Sequence, residues 1–111
     1  MMRPMVLLAL STALLPLATA TPAGAAAVPD ATWQRLADCE SDGDWHANTG
    51  NGFYGGLQIW QPTWQETGGL RYAERPDLAP RRHQIAVAQE IQRRQGWSAW
   101  PQCARELGLI R

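Results

Sequence analysis

The chain has 111 residues, with ten arginines and no lysine set against ten acidic residues, for a formal net charge of zero. That balance supplies neither the basic field of a nucleic-acid binder nor a polybasic surface for anionic membranes, so neither partner is expected. Two cysteines and two histidines, scattered without ligand spacing, offer no pattern for a metal centre, and no metal or cofactor is expected.

The first 27 residues, MMRPMVLLALSTALLPLATATPAGAAA, open with Arg3, continue as an apolar run from Met5 to about Ala18 and finish in small residues. This is the pattern of a secretory signal peptide with its processing region. The run is shorter than the roughly 20 residues a membrane-spanning helix needs, and Ser11, Thr12 and Pro16 interrupt it. An uncleaved amphipathic anchor is the alternative, but no charged face accompanies the run. Its removal leaves residues 28–111 as one small exported domain, expected as a monomer with no membrane contact. At that size a hydrophobic core alone barely suffices. Export to an oxidising compartment makes a disulfide between Cys39 and Cys103 the default expectation, with two free buried thiols as the alternative. Closing so long a loop stabilises a domain by about 4 kcal/mol in the chain-entropy picture.

In chain order, Pro29 and Asp30 or Thr32 start a helix on which Trp33, Leu36, Ala37 and Glu40 recur at three- and four-residue spacing. Asp42-Gly43 ends it. The glycine-rich stretch NTGNGFYGG follows, and Asn51-Gly52 is the pair a tight hairpin turn prefers, which places a short β-hairpin there. Pro62 suits the first turn of a second helix carrying Thr63 and Trp64 and ending at Gly68-Gly69. The longest helix is expected from about Pro80 to Gln95, with Ile85, Ala88 and Ile91 facing inward and Gly96 as its stop. A last short helix, about Pro101 to Leu107, carries Cys103. The class is mainly α, an α+β fold with one small hairpin.

Glu40 is the residue with chemical promise. A carboxyl on an apolar stripe loses hydration, and one near a helix C-terminus also meets the negative end of the macrodipole; both favour the protonated form. A carboxylic acid that is still protonated near neutral pH is what glycoside cleavage requires, because the leaving oxygen must receive a proton as the bond breaks. On spacing alone, a frayed helix end with a solvated carboxylate is an equal reading. Asn48, Gln58, Thr63 and Gln95 could supply neutral hydrogen bonds to a sugar. Phe53, Tyr54 and the six tryptophans offer flat faces, although most tryptophans in so small a domain belong to the core.

The ordered set CESDGDW, NTGNGFYGGLQ, TW, QIAVAQ and QGWSAWPQC resembles the catalytic domain of the resuscitation-promoting factors, secreted transglycosylase-like proteins, over about Ala31 to Leu109. The resemblance implies a small lysozyme-like, lytic-transglycosylase-like domain with one disulfide and a groove for the glycan strands of peptidoglycan. It implies a single catalytic glutamate at Glu40. It places groove residues at Phe53, Gln58, Thr63 and Gln95, with Asn48, Tyr54 and Trp97 as further candidates. It also implies secretion, association with the cell wall, a role in wall remodelling and resuscitation from dormancy, and a peptidoglycan endopeptidase as protein partner. A non-catalytic peptidoglycan binder or secreted growth signal is the alternative function. The chain departs from the family at Asp42 and Asp44, acids where the family has none, at Phe53 in place of tyrosine, and at Trp60 in place of a small or polar residue. Asp42 and Asp44 are expected to raise the pKa of Glu40 if they lie near it.

Overall fold

A computed structural model describes residues 27–111, and the expected signal peptide lies outside them apart from Ala27. Among these residues, four helices surround one two-stranded hairpin: α1 (Asp30–Ser41), β1 (Phe53–Tyr54), β2 (Ile59–Trp60), α2 (Gln61–Glu66), α3 (Arg81–Gln95) and α4 (Pro101–Glu106). Three short 3₁₀ turns, Gly69–Arg71, Pro76–Leu78 and Gly96–Ala99, complete the connections.

Helix α1 forms where the apolar spacing requires it. Its N-cap is Pro29, Asp30 places a negative charge in the first turn, and Trp33, Leu36 and Ala37 are fully buried. It stops because Asp42 takes the left-handed conformation at φ 55°, a region that aspartate tolerates better than most residues. The N–H of Gly43 then reaches back to Ala37 O at 3.1 Å. Proline in the first turn starts α2 and α4, and Pro80 caps α3, which ends at Gly96 with φ 70°.

The hairpin is present, but its turn differs from the expected one. Phe53 pairs with Trp60 and Tyr54 with Ile59, so the chain reverses over Gly55-Gly56-Leu57-Gln58. Gly55 at φ 79° and Gln58 at φ 50° supply the left-handed conformations of that reversal. Asn51-Gly52 precedes the hairpin instead: Asn51 Oδ1 accepts the Phe53 N–H at 3.0 Å, a local side-chain turn that leads into β1. What decides between the two sites is a buried glutamine on a distant helix. Gln84 of α3 is fully buried; its Oε1 accepts the Gly56 N–H at 3.0 Å, and its Nε2 donates to Trp45 O at 2.8 Å and Ala79 O at 2.9 Å. A side chain at position 55 would meet Gln84 Oε1 at 2.3 Å, so only glycine admits this contact.

The core lies between α1, α3 and α4. Trp33 packs against Trp97 at 5.2 Å and Trp100 at 5.6 Å between ring centroids, with Leu36, Leu57, Val87, Ala88 and Ile91 buried around them. A disulfide joins Cys39 to Cys103 across a sequence separation of 64, with 5.8 Å between the Cα atoms, and so fastens the end of α1 to α4.

Candidate active site

Phe53, Gln58, Thr63 and Gln95 come from β1, the hairpin turn, α2 and the last residue of α3, yet all four line one small groove of about 50 Å³. Ile59, Trp60, Ile91, Ala99 and Trp100 complete its walls, so none of the lining residues is ionisable. Gln58 is held in place: its Nε2 donates to Gly55 O at 3.1 Å, which leaves its amide oxygen as a free acceptor. Trp100 is held equally well, its Nε1 donating to Leu57 O at 2.8 Å. An uncharged groove that combines amide, hydroxyl and aromatic faces suits a neutral, hydroxyl-rich ligand.

Asn48, Tyr54 and Trp97 do not line that groove. Asn48 is exposed and its Oδ1 accepts the Gly50 N–H, while its backbone bridges to Tyr54. The Tyr54 ring lies under the Arg75 guanidinium, 5.2 Å from its centroid. Trp97 packs with Trp33 and Trp100 against the core.

Glu40 occupies the second-last position of α1, where the buried stripe of Trp33, Leu36 and Ala37 emerges at the surface, and it is half-buried. It lines a depression of about 390 Å³ together with Cys39, Pro101, Gln102, Cys103 and Glu106. Burial pushes its pKa above the ordinary glutamate value, and the negative charge of Glu106 pushes it further the same way. The neighbouring acid that acts on Glu40 is therefore Glu106 on α4, and not Asp42 or Asp44 as the sequence suggests. Those two aspartates are exposed, and Asp44 Oδ1 caps the local turn by accepting the His46 N–H at 2.9 Å. Glu106 escapes sequence reasoning because 66 positions separate it from Glu40. Its only clue is its place three residues after Cys103, on the helix that the disulfide brings to α1.

Glu106 Oε2 lies 3.3 Å from Cys39 Sγ. That sulfur is oxidised and has no proton to donate, so the approach is a packing contact. For the same reason Cys39, Cys103 and Glu106, whose candidate donor atoms lie within 4.8 Å of one another, do not form a ligand set for a metal while the disulfide is intact.

The depression around Glu40 and the uncharged groove share no lining residue but are linked through the chain. Trp100 lines one and Pro101, the next residue, lines the other. Ser41, adjacent to Glu40, has its Oγ 2.8 Å from Gly56 O in the turn that carries Gln58. A wider cavity of about 530 Å³ lies between α2 and α3, but it is walled by Arg71, Arg93, Arg94, Glu66 and Glu90 and contains none of the expected site residues. Glu90 pairs there with both Arg93 and Arg94, as on many solvated helix faces.

Helices packed about one short hairpin, pinned by a disulfide, with a half-buried carboxyl at a helix end, define a class: the small lysozyme-like domain. Residues 27–103 match the family model described as a transglycosylase-like domain. The chain belongs to that family, together with the resuscitation-promoting factors. It is 60% identical over 77 residues to resuscitation-promoting factor RpfB of Mycolicibacterium smegmatis, covering 69% of this chain and 21% of that protein. It is 50% identical over 92 residues to resuscitation-promoting factor Rpf1 of Corynebacterium glutamicum, covering 83% of this chain and 48% of that one. With resuscitation-promoting factor Rpf of Micrococcus luteus the identity is 52% over 88 residues, covering 79% and 37%. The chain thus spans less than half the length of these relatives.

Proposed function

We propose that the chain is a secreted enzyme that cleaves the β-1,4 bond between N-acetylmuramic acid and N-acetylglucosamine in peptidoglycan, with Glu40 as its single general acid and base. In this reading it remodels the cell wall and promotes resuscitation from dormancy, acting outside the cell in contact with the wall and with a peptidoglycan endopeptidase as partner. No helix among the described residues is long and apolar enough to cross a membrane, which is compatible with such a location. The observation that carries the proposal is a half-buried carboxyl of raised pKa whose chain neighbour, Ser41, reaches the turn that carries Gln58 of an uncharged groove. Membership of the transglycosylase-like family supports it independently.

Glycan chains would lie in the groove against Phe53, Gln58, Thr63 and Gln95 and pass Glu40 at the scissile bond. Protonated Glu40 would deliver its proton to the glycosidic oxygen as the bond to the muramic acid C1 breaks. The resulting oxocarbenium-like centre needs a nucleophile, and with one catalytic carboxyl the substrate can supply help itself. The N-acetyl oxygen of the muramic acid can stabilise C1. Its 6-hydroxyl can then attack C1 and pass its proton to the Glu40 carboxylate, restoring the acid and leaving a 1,6-anhydro end; attack by water instead leaves a reducing end. The exposure of Asp42 and Asp44, which argues against either as a second catalytic carboxyl, favours the intramolecular route.

The test is mass spectrometry of muropeptides released from purified peptidoglycan by the wild-type domain and by Glu40→Gln, which keeps the shape but has no transferable proton. Loss of at least about 10²-fold in product with glycan binding retained is the expected result, since general acid catalysis contributes typically 10² to 10⁴. Unchanged cleavage by Glu40→Gln would falsify the role of Glu40, and no cleavage by the wild type would leave a glycan binder.

A further inference from the structure

Trp60 is the feature that neither the fold nor the chemistry at Glu40 accounts for. A tryptophan in so small a domain belongs in the core, where Trp33, Trp64 and Trp100 are found; Trp60 is 44% exposed, and Phe53 beside it is 41% exposed. The two rings are cross-strand partners in the hairpin, and they lie on the same face with centroids 4.9 Å apart and planes tilted by 45°. Both line the uncharged groove. The indole is also fixed from the side of the backbone. A Cβ at Gly52 would lie 2.8 Å from Trp60 Cζ3, and Gly52 has φ 87°, so the backbone lies against the ring where only glycine fits.

From this we propose that Trp60, buttressed by Phe53 and Gly52, is a stacking platform for one pyranose ring of an N-acetylated glycan, and that it extends the binding groove in this chain. The proposal rests on the reading of the groove as a glycan site and adds to it a subsite that Trp60 creates. Two exposed aromatic faces packed on each other beside the free amide oxygen of Gln58, with Thr63 and Gln95 in the same groove, call for a ligand that is apolar on one face and hydroxylated at its edge. A pyranose is such a ligand: its axial C–H groups meet the ring and its equatorial hydroxyl and acetamido groups reach the amides. Because none of the lining residues is ionisable, the occupant at this platform is a neutral sugar unit. The contacts with Phe53 and Gly52 restrict the indole before binding, which lowers the cost of ordering it.

Isothermal titration of chitohexaose into the wild-type domain, Trp60→Ala, Trp60→Phe and Gln58→Ala tests this, with thermal melts to show that each variant is folded. The expected result is that Trp60→Ala weakens binding at least tenfold with little change in Tm, while Trp60→Phe, which keeps a flat face, retains most of the affinity. Saturating ligand should shift the tryptophan emission of the wild type to shorter wavelength and shift that of Trp60→Phe less. Trp60→Thr, a good strand former, replaces the alanine variant if the latter does not fold. Wild-type affinity in Trp60→Ala with loss in Gln58→Ala would overturn the platform while the glycan groove stands. Failure of the wild type itself to bind would overturn both. Sedimentation showing that Trp60→Ala dissociates a dimer without altering sugar affinity would overturn the platform alone, since the face would then belong to a second copy of the chain.

Discussion

Ser41 Oγ lies 2.8 Å from Gly56 O, so the residue after Glu40 ties the end of α1 to the hairpin turn that carries Gln58. The same oxygen lies 3.0 Å from Ala37 O within the helix, and its one proton serves both, with the shorter approach to the turn. The proposed acid and the proposed groove are thus registered by a single hydroxyl. Ser41→Ala should lower peptidoglycan turnover about three- to tenfold at unchanged KM, while costing only about 1 kcal/mol of stability, the worth of an ordinary hydrogen bond. Ser41→Thr, which keeps the hydroxyl, should restore most of the rate. Muropeptide release at several substrate concentrations separates the two parameters.

Burial sets most of the rise in the Glu40 pKa, and Glu106 should tune the pH range of activity further. Its negative charge favours the protonated form of Glu40, so Glu106→Gln should lower the Glu40 pKa and move the high-pH limb of the rate profile to lower pH. Glu106 is exposed, and added salt should move the wild-type limb in the same direction by screening. Asp42→Asn and Asp44→Asn should leave the limb in place. Rate profiles recorded at low and high ionic strength check all three expectations.

Keeping Glu40 should cost the fold some stability. Because its folded pKa is raised, the folded state holds the proton more tightly than the unfolded chain does. The stability this contributes is complete below the unfolded pKa and is lost as pH rises through the folded one. Glu40→Gln carries no such loss, so it should melt a few degrees above the wild type near neutral pH, and the gap should close on acidification. Calorimetric scans across the acid range would show the convergence; a gap that widens on acidification would contradict the burial of this carboxyl.

Gln84 should matter more to stability than any exposed polar residue. Gln84→Leu keeps most of the volume but leaves the Gly56 N–H and the Trp45 and Ala79 carbonyls without their partner. Each buried polar group left unpaired costs about 1 to 3 kcal/mol, so with three groups the variant should lose roughly 3 kcal/mol or more. For a domain of this size that lowers Tm by roughly 10 °C or more. Urea denaturation measures the loss directly.

Gln58, Thr63 and Gln95, changed singly to alanine, should each weaken binding of chitooligosaccharides by about 1 to 3 kcal/mol and leave the melting temperature nearly unchanged. Titration calorimetry beside thermal melts distinguishes a ligand contact from a structural support, which would lower both together.

The local alphabet of the chain determines its helices. Proline in the first turns, glycine beyond the ends and the spacing of Trp33, Leu36 and Ala37 act over a few residues, and the helix limits follow them to within a residue or so. The expectation of a signal peptide, together with so small a core, leads from the sequence to the disulfide between Cys39 and Cys103 that the fold contains. Residue chemistry marks Phe53, Gln58, Thr63 and Gln95 as possible sugar contacts and the family resemblance places them in one groove, while no periodicity connects them; they converge because β1, the turn, α2 and the end of α3 meet at one place. Tertiary structure alone decided the rest. Asn51-Gly52 has the chemistry of a hairpin turn, yet the chain reverses three residues later, because Gln84 offers the Gly56 N–H a buried acceptor that no local preference can match. Burial first and then Glu106, not the aspartates beside Glu40 in sequence, perturb the acid, because the disulfide brings α4 to the end of α1. Short-range sterics and capping are written in adjacent residues; burial and electrostatics depend on distances through space, and these exist only once the chain has closed on itself.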